Sequence, residues 1–342
     1  MNRIILIGNG FDLAHGLKTS YLDFIDWFWG KELGKTKKKL KKPFEDDNIK
    51  LEHILDIWYN RKGNSNYENL KHTLDIAKSN IIYKNKFLET ITKQTNLQNW
   101  VDIEEEYYKE LTNILSRDNH QYNYTIENLN ADFNIIKQEL EGYLYKECNR
   151  DVKRNDCLYG NIYSEVREQD CTKHLSWSEQ QLSWIFLNFN YTNTVDKYCE
   201  NNKPIYIHGN LRDKNSIIFG YGDEQNEMHK EIEKRGGNFL NNVKTINYLK
   251  TDNYRKVLKF LEMGLYQVFI MGHSCGLSDK TLLQTLFEHK HCISIKPFYH
   301  KIDDETDNYE DIIKNIYRIF TNKSLMRERV VNKQYCKPLL EK

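Results

Sequence analysis

Arg3-Ile4-Ile5-Leu6-Ile7-Gly8-Asn9-Gly10-Phe11-Asp12 opens the chain and decides how the rest is read. Ile4, Ile5 and Ile7 are β-branched and the run stops on glycine, so it reads as a short buried strand feeding a Gly-x-Gly turn. Such a turn lets bare backbone N–H groups approach a phosphate. Gly8, Asn9, Gly10, Phe11 and Asp12 are therefore candidate nucleotide-binding residues, although the same residues serve a plain turn equally well. Leu13 stands where the dinucleotide fingerprint has its third glycine, and no strand with a ribose-binding acid follows about 20 residues on. Asp23 and Asp26 fall instead in a helix that Ser20 caps, with Tyr21, Phe24, Ile25 and Phe28 on one face. A nicotinamide dehydrogenase is disfavoured.

The 342 residues allow one large domain or two. Fifty basic side chains against 49 acidic ones leave no global field to draw the protein to nucleic acid or a membrane surface. Lys31 to Lys42 is lysine-dense but lacks the interleaved aromatics that stack bases, so it reads as a solvated linker or helix face. Seven scattered cysteines without a C-x-x-C pair argue against a disulfide framework and against a metal site. No signal peptide or membrane-length apolar window is visible, so a cytoplasmic protein with no membrane partner is expected.

Strand patterns lie at the start and in the second half, with a helical middle between. Leu51, Ile54, Leu55 and Trp58 form one stripe at helical spacing. Ile103, Tyr107, Leu111 and Ile114 form a second, and Leu129, Phe133, Ile136, Leu140 and Tyr143 a third. Asn149 to Ser178 reads as loops. Strands are predicted at Trp184–Phe189, Ile205–Ile207, Ile217–Phe219, Gln267–Met271 and Cys292–Ile295. A long helical stretch is predicted over Glu231 to Glu262, and a helix from about Asp279. The alternation predicts an α/β fold: a mostly parallel, Rossmann-like sheet flanked by helices, with a large inserted helical subdomain. Residues 1–30 and 180–325 would form the sheet domain, 31–179 the insertion and 326–342 a tail.

Polar clusters follow the strand ends, where open α/β sheets bind ligands. They are Gly8–Asp12, Asn188–Asn193, Ile207–Asn210, Phe219–Asp223 and Gly272–Asp279. Together they read as the rim of one nucleotide pocket. Gly272-His273-Ser274-Cys275-Gly276 matches a Gly-x-Ser-x-Gly nucleophile elbow. Too little chain follows to supply the acid and histidine of a hydrolase, so a phosphate- or ribose-binding turn is the better reading, with Gly272, His273, Ser274 and Asp279 as contacts. His208 is a candidate base, and Asn190 a candidate for holding a ribose hydroxyl or a water. Trp100–Glu106 opens a helix whose acids suit the macrodipole, with one carboxylate also a candidate lid residue.

These motifs resemble the AbiH family of bacterial phage abortive-infection proteins. The resemblance rests on Ile7–Tyr21, supported by Trp100–Glu104, Phe189–Thr194, Ile207-His208-Gly209, and Gly272-His273-Ser274 with Gly276 and Asp279. A more distant resemblance is to the sirtuin-like domains of bacterial defence systems, through Gly8-Asn9-Gly10, Asn188–Thr192, His208-Gly209 and Gly272–Ser274. It implies a sirtuin-like sheet, Asn190 and His208 as a catalytic pair, and Tyr191 among the nucleotide contacts. The implied activity is hydrolysis of NAD as substrate to nicotinamide and ADP-ribose, with no metal required. A phage-derived trigger is an implied partner, and a homo-oligomer is left open. The alternatives from other classes are a non-catalytic nucleotide sensor, a nucleic-acid-directed toxin, and a serine hydrolase using Ser274.

Overall fold

A computed structural model of the chain describes residues 1–37, 44–51, 81–93, 100–116, 123–172, 183–200, 202–222 and 227–341. These divide into two compact units. One holds Met1–Lys18, Glu147–Lys230 and Asn242–Lys342, and the other Thr19–Lys146 and Glu231–Asn241.

The first unit is built on β1 (Asn2–Ile7), β5 (Trp184–Asn188), β6 (Ile205–Tyr206), β7 (Tyr266–Met271) and β8 (Cys292–Phe298). All pair in parallel, in the order β6-β5-β1-β7-β8. The opening strand therefore lies at the centre, with β5 on one side and β7 on the other; its pairing with later strands across the insertion is as the sequence predicts. Side chains of β1 alternate between two apolar layers. Ile4 and Leu6 join Val268, Ile270, Leu283 and Ile316, while Ile5 and Ile7 join Phe186, Phe269 and Met271. A sheet buried on both faces explains why these strands are mostly apolar, with the buried polar side chains Gln267, Ser294 and Lys296 among them.

Arg3 is the charged residue on that central strand, and it is almost wholly buried. Its guanidinium donates to the Ile162 and Ser164 carbonyls, both at 2.8 Å, and lies 4.1 Å from the centre of the Phe269 ring. Burial pulls its pKa down to about 10 against the opposing pull of Asp170. The Ile162 carbonyl belongs to a helix over Asp156–Ile162, capped by Asn155 and burying Leu158 and Ile162. A helix thus interrupts the stretch expected as loops, because two apolar residues at i and i+4 suffice to dock a short, capped turn.

Two further expectations are corrected. Ile217–Phe219 joins no strand ladder among the described residues; the Ile218 amide donates to the His208 carbonyl at 2.8 Å. The stretch 231–262 is broken into separate helices, Glu227–Arg235, Lys244–Tyr248 and Asn253–Leu261. Gly236 and Gly237 take positive φ between the first two, which ends helical geometry there. The predicted helix near Asp279 runs over Lys280–Glu288. The segment expected as a tail covers the outer edge of β8: the Val331 amide donates to the Ile295 carbonyl at 2.9 Å, and the Leu339 amide to the Tyr299 carbonyl at 2.7 Å.

The second unit packs helices Tyr21–Lys37, Lys86–Lys93, Trp100–Ser116 and Ile126–Tyr143 beside three short antiparallel strands, β2 (Phe44–Glu45), β3 (Ile49–Leu51) and β4 (Ile81–Tyr83). Ser20 and Asp23 bond each other's amides across the first helix start, the capping box read from the sequence. The second and third stripes are core: Phe87 meets Tyr107 and Phe133 edge to face, and the Tyr107 and Phe133 rings lie 4.2 Å apart. Of the first stripe, Leu51 ends β3, whereas Ile54, Leu55 and Trp58 lie outside the described residues. No described helix is long and apolar enough to cross a membrane.

Candidate functional site

Register alone gathers the glycine-bearing clusters. Ile7 faces Asn188 on one side and Met271 on the other, and Asn188 faces Tyr206. The segments that begin at Gly8, Phe189, Ile207 and Gly272 therefore leave the sheet at one edge. From β1 the chain proceeds toward β5 and β6, and from β7 in the opposite sense toward β8. The gap between β1 and β7 is thus a topological switch point, the usual ligand position in an open parallel sheet.

At that switch point the glycines permit backbone to lie on backbone. Gly272 has φ +76°, and a Cβ there would fall 2.1 Å from the Phe11 amide nitrogen; a Cβ on Gly8 would fall 2.4 Å from the His273 Cα. The Gly10 amide donates to the Gly272 carbonyl at 2.8 Å, and the Gly8 amide to the Met271 carbonyl at 3.1 Å. The two turns are joined directly, with these amides committed inside the protein. Asn9 is half-buried on the same turn.

The loop after β5 is shaped by Asn188, which is fully buried. Its Nδ2 donates to the Asn190 and Thr192 carbonyls at 3.1 and 3.3 Å, and its Oδ1 accepts from the Asn190 amide at 3.2 Å. Asn190 in turn donates from Nδ2 to the Gly8 carbonyl at 2.9 Å. This bond tells the two ends of the side-chain amide apart and leaves Oδ1 as an acceptor. Thr192 donates to Asp12, and the Tyr191 hydroxyl donates to the Ile218 carbonyl at 3.0 Å. Burial raises the Asp12 carboxyl to about 6, against hydrogen bonds from Thr192, Thr194 and Asn190 that favour its ionised form.

His208 and Asp279, remote in sequence, meet in this region. His208 Nε2 lies 3.1 Å from Asp279 Oδ1 and 3.1 Å from the Tyr248 hydroxyl. Lys244 Nζ lies 2.9 Å from the same Asp279 oxygen and 3.1 Å from Ser278 Oγ. His273 Nε2 approaches Asp279 Oδ2 at 3.5 Å, while its Nδ1 accepts from the Cys275 amide at 3.0 Å. Phe189 fills the space between the two imidazoles, with ring centres 5.1 Å from His208 and 4.2 Å from His273. Burial alone would raise the Asp279 carboxyl, but Lys244, His208 and His273 outweigh it and hold the group well below the usual carboxylate range. An ionised Asp279 takes the Nε2 proton side of His208, so the neutral ring keeps its lone pair on Nδ1. That is the arrangement of an oriented general base.

Asn190, His208, His273 and Asp279 are thus brought to one edge with Gly8, Gly10 and Gly272. Phe11 is fully buried in the apolar layer against Tyr198, their ring centres 5.1 Å apart. Ser274 is exposed and accepts at its carbonyl from Asn315 Nδ2 at 2.8 Å, while the imidazoles of His208 and His273 face Asp279. Asp223 lies outside the described residues. Lys244 and Tyr248 were not singled out from sequence, and Asn188 was named only as part of the Asn188–Asn193 cluster, without its role in shaping the loop. A lysine in a polar helix reads as solvated, and the side chain of Asn188 still counts as the end of a strand.

A five-stranded, all-parallel α/β sheet with a buried His–Asp–Lys cluster at its switch-point edge is the class defined by these features. Residues 4–300 match the family described as Bacteriophage abortive infection AbiH, so the chain belongs to that family of phage abortive-infection proteins. It is also similar to the small ribosomal subunit protein uS3m of Cyberlindnera mrakii, with 24% identity over 284 residues, covering 77% of this chain and 70% of that one. No solved structure matches.

Proposed function

We propose that the chain acts in abortive infection by hydrolysing NAD+ to nicotinamide and ADP-ribose through a sirtuin-like site. The supporting observation is that Asn190, anchored on the Gly8 carbonyl, and His208, oriented by Asp279, follow neighbouring strands at the same edge of the sheet. Nicotinamide leaves with the electron pair of its ribosyl bond, and water adds to the oxocarbenium-like carbon. Asn190 Oδ1 holds the water or a ribose hydroxyl, and His208 Nδ1 takes the proton released. The site asks little beyond position and shielding, which is what a fixed amide and a fixed imidazole supply. Gly272, His273 and Asn9 would line the nucleotide, with Asp12 and Tyr191 supporting its walls.

A sensor reading, in which the pocket binds a nucleotide without cleaving it, is favoured by one observation: Asp279 and His208 are both at least nine-tenths buried. A nucleic-acid-directed reading draws on the ribosomal relative, but 50 basic against 49 acidic side chains supply no field for a polyanion. Incubating the purified chain with NAD+, with and without phage lysate, and following products by chromatography separates these readings. Released nicotinamide and ADP-ribose are expected, with the rate reduced by about 10²–10⁴-fold in Asn190→Ala and His208→Ala. Stoichiometric binding without product would establish the sensor instead. Undiminished NAD loss in both variants would remove the catalytic assignment.

A further inference from the structure

At the opposite end of the sheet, Glu262, His289 and His291 each bring one ligand atom to within 4.8 Å of the others. Glu262 follows the Asn253–Leu261 helix ahead of β7, whereas His289 and His291 link the Lys280–Glu288 helix to β8. Both strands begin here, with Tyr266 facing Cys292, so the parallel register sets the two approaches side by side. These residues play no part in the NAD reading.

Local bonds fix the rings. His291 Nδ1 lies 2.9 Å from the Leu261 carbonyl. A carbonyl only accepts, so the proton sits on Nδ1 and Nε2 keeps its lone pair. Metal-ligating histidines are oriented by this kind of outer hydrogen bond. His289 Nδ1 accepts from the His291 amide at 3.3 Å, and its Nε2 donates to Glu262 Oε1 at 3.1 Å. The Tyr266 ring stacks on His289 at 6.1 Å, and the two imidazoles stand 5.2 Å apart at 77°. The His289 side chain is 16% exposed and Glu262 60% exposed, so an ion can enter from solvent.

We propose that Glu262, His289 and His291 form a binding site for a divalent transition ion of the zinc type. Two imidazoles and a carboxylate are a zinc ligand set, whereas magnesium and calcium take oxygen donors. Loading moves the Nε2 proton of His289 to Nδ1, at the expense of the long bond from the His291 amide, the weakest in the group. The ion then takes that proton's place against the Glu262 carboxylate, and water completes its coordination. Lys290, 3.2 Å from the other Glu262 oxygen, continues to neutralise it. The ion would tie the ends of two helices together where β7 and β8 start.

The full-length chain, stripped with a chelator, is titrated with Co2+ at neutral pH while visible absorption is followed. A saturable spectrum of low-coordinate cobalt at a single equivalent is expected, displaced by Zn2+. Losing an outer-shell partner already weakens metal binding by about 10–100-fold, so His291→Ala and His289→Ala should weaken it by at least that much. Glu262→Gln, at an exposed position, should do the same with the fold intact by circular dichroism. The absence of a saturable cobalt spectrum would overturn the site, as would equal affinity in His289→Ala and Glu262→Gln.

Discussion

Lys244 holds a positive charge almost entirely out of water, and it is tolerated because Asp279 and Ser278 accept from it. Removing one partner of such a pair leaves the other uncompensated. Lys244→Met should therefore destabilise the protein by about 3–5 kcal/mol in urea unfolding, while Lys244→Arg should restore part of that loss. Asp279, its carboxyl pKa depressed, contributes stability that is complete above the unfolded carboxylate range and is lost as pH falls through its folded value. Asp12 works in the other sense. Its folded value near 6 exceeds the unfolded 3.8, so its contribution is complete below 3.8 and is lost as pH rises through about 6. The shift corresponds to roughly 3 kcal/mol, at 1.36 kcal/mol per unit. Stability curves measured across this window should show that slope in the wild type and not in Asp12→Asn.

Among the elements, the paired turns after β1 and β7 carry a tight sequence requirement. Gly272→Ala combines a left-handed φ with a clash against the Phe11 amide. A loss of at least about 2 kcal/mol is expected, read as a lower Tm. Gly16 provides the control, because its φ is +70° but nothing lies within 4 Å of its Cβ position. Gly16→Ala should cost only the conformational term, about 1–2 kcal/mol. If the two variants lost equal stability, close turn-to-turn packing would not be what Gly272 provides. The breaks in the 231–262 stretch belong to this scale too. They place Lys244 and Tyr248 on a short helix reaching Asp279 and His208, which one continuous helix would not do.

For the molecule as a whole, the sheet is completed by the end of the chain. β8 would be an open edge without residues 330–339, and an exposed edge strand invites pairing with other chains. A chain truncated after Leu325 should lose Tm and aggregate on mild heating, as followed by light scattering. A truncation that matched the full chain in both would show the segment to be dispensable. The five strands of the parallel sheet, the α/β class and the return of β1 to later strands were legible in the sequence, because β-branched runs and glycine stops are local signals; Ile217–Phe219 carries the same signals yet joins no ladder among the described residues. So was the position of Asn190 and His208 just past strand ends. The Asp279–His208–Lys244 cluster was not legible. Its members lie up to 71 positions apart, from His208 to Asp279, and no local pattern distinguishes a buried lysine from a solvated one. The sequence by itself determined the five segments that form the parallel sheet and that polar side chains follow their ends. Only the tertiary structure decided which of those side chains meet, because parallel pairing at a switch point depends on strand order, a property of the folded sheet and of no single segment.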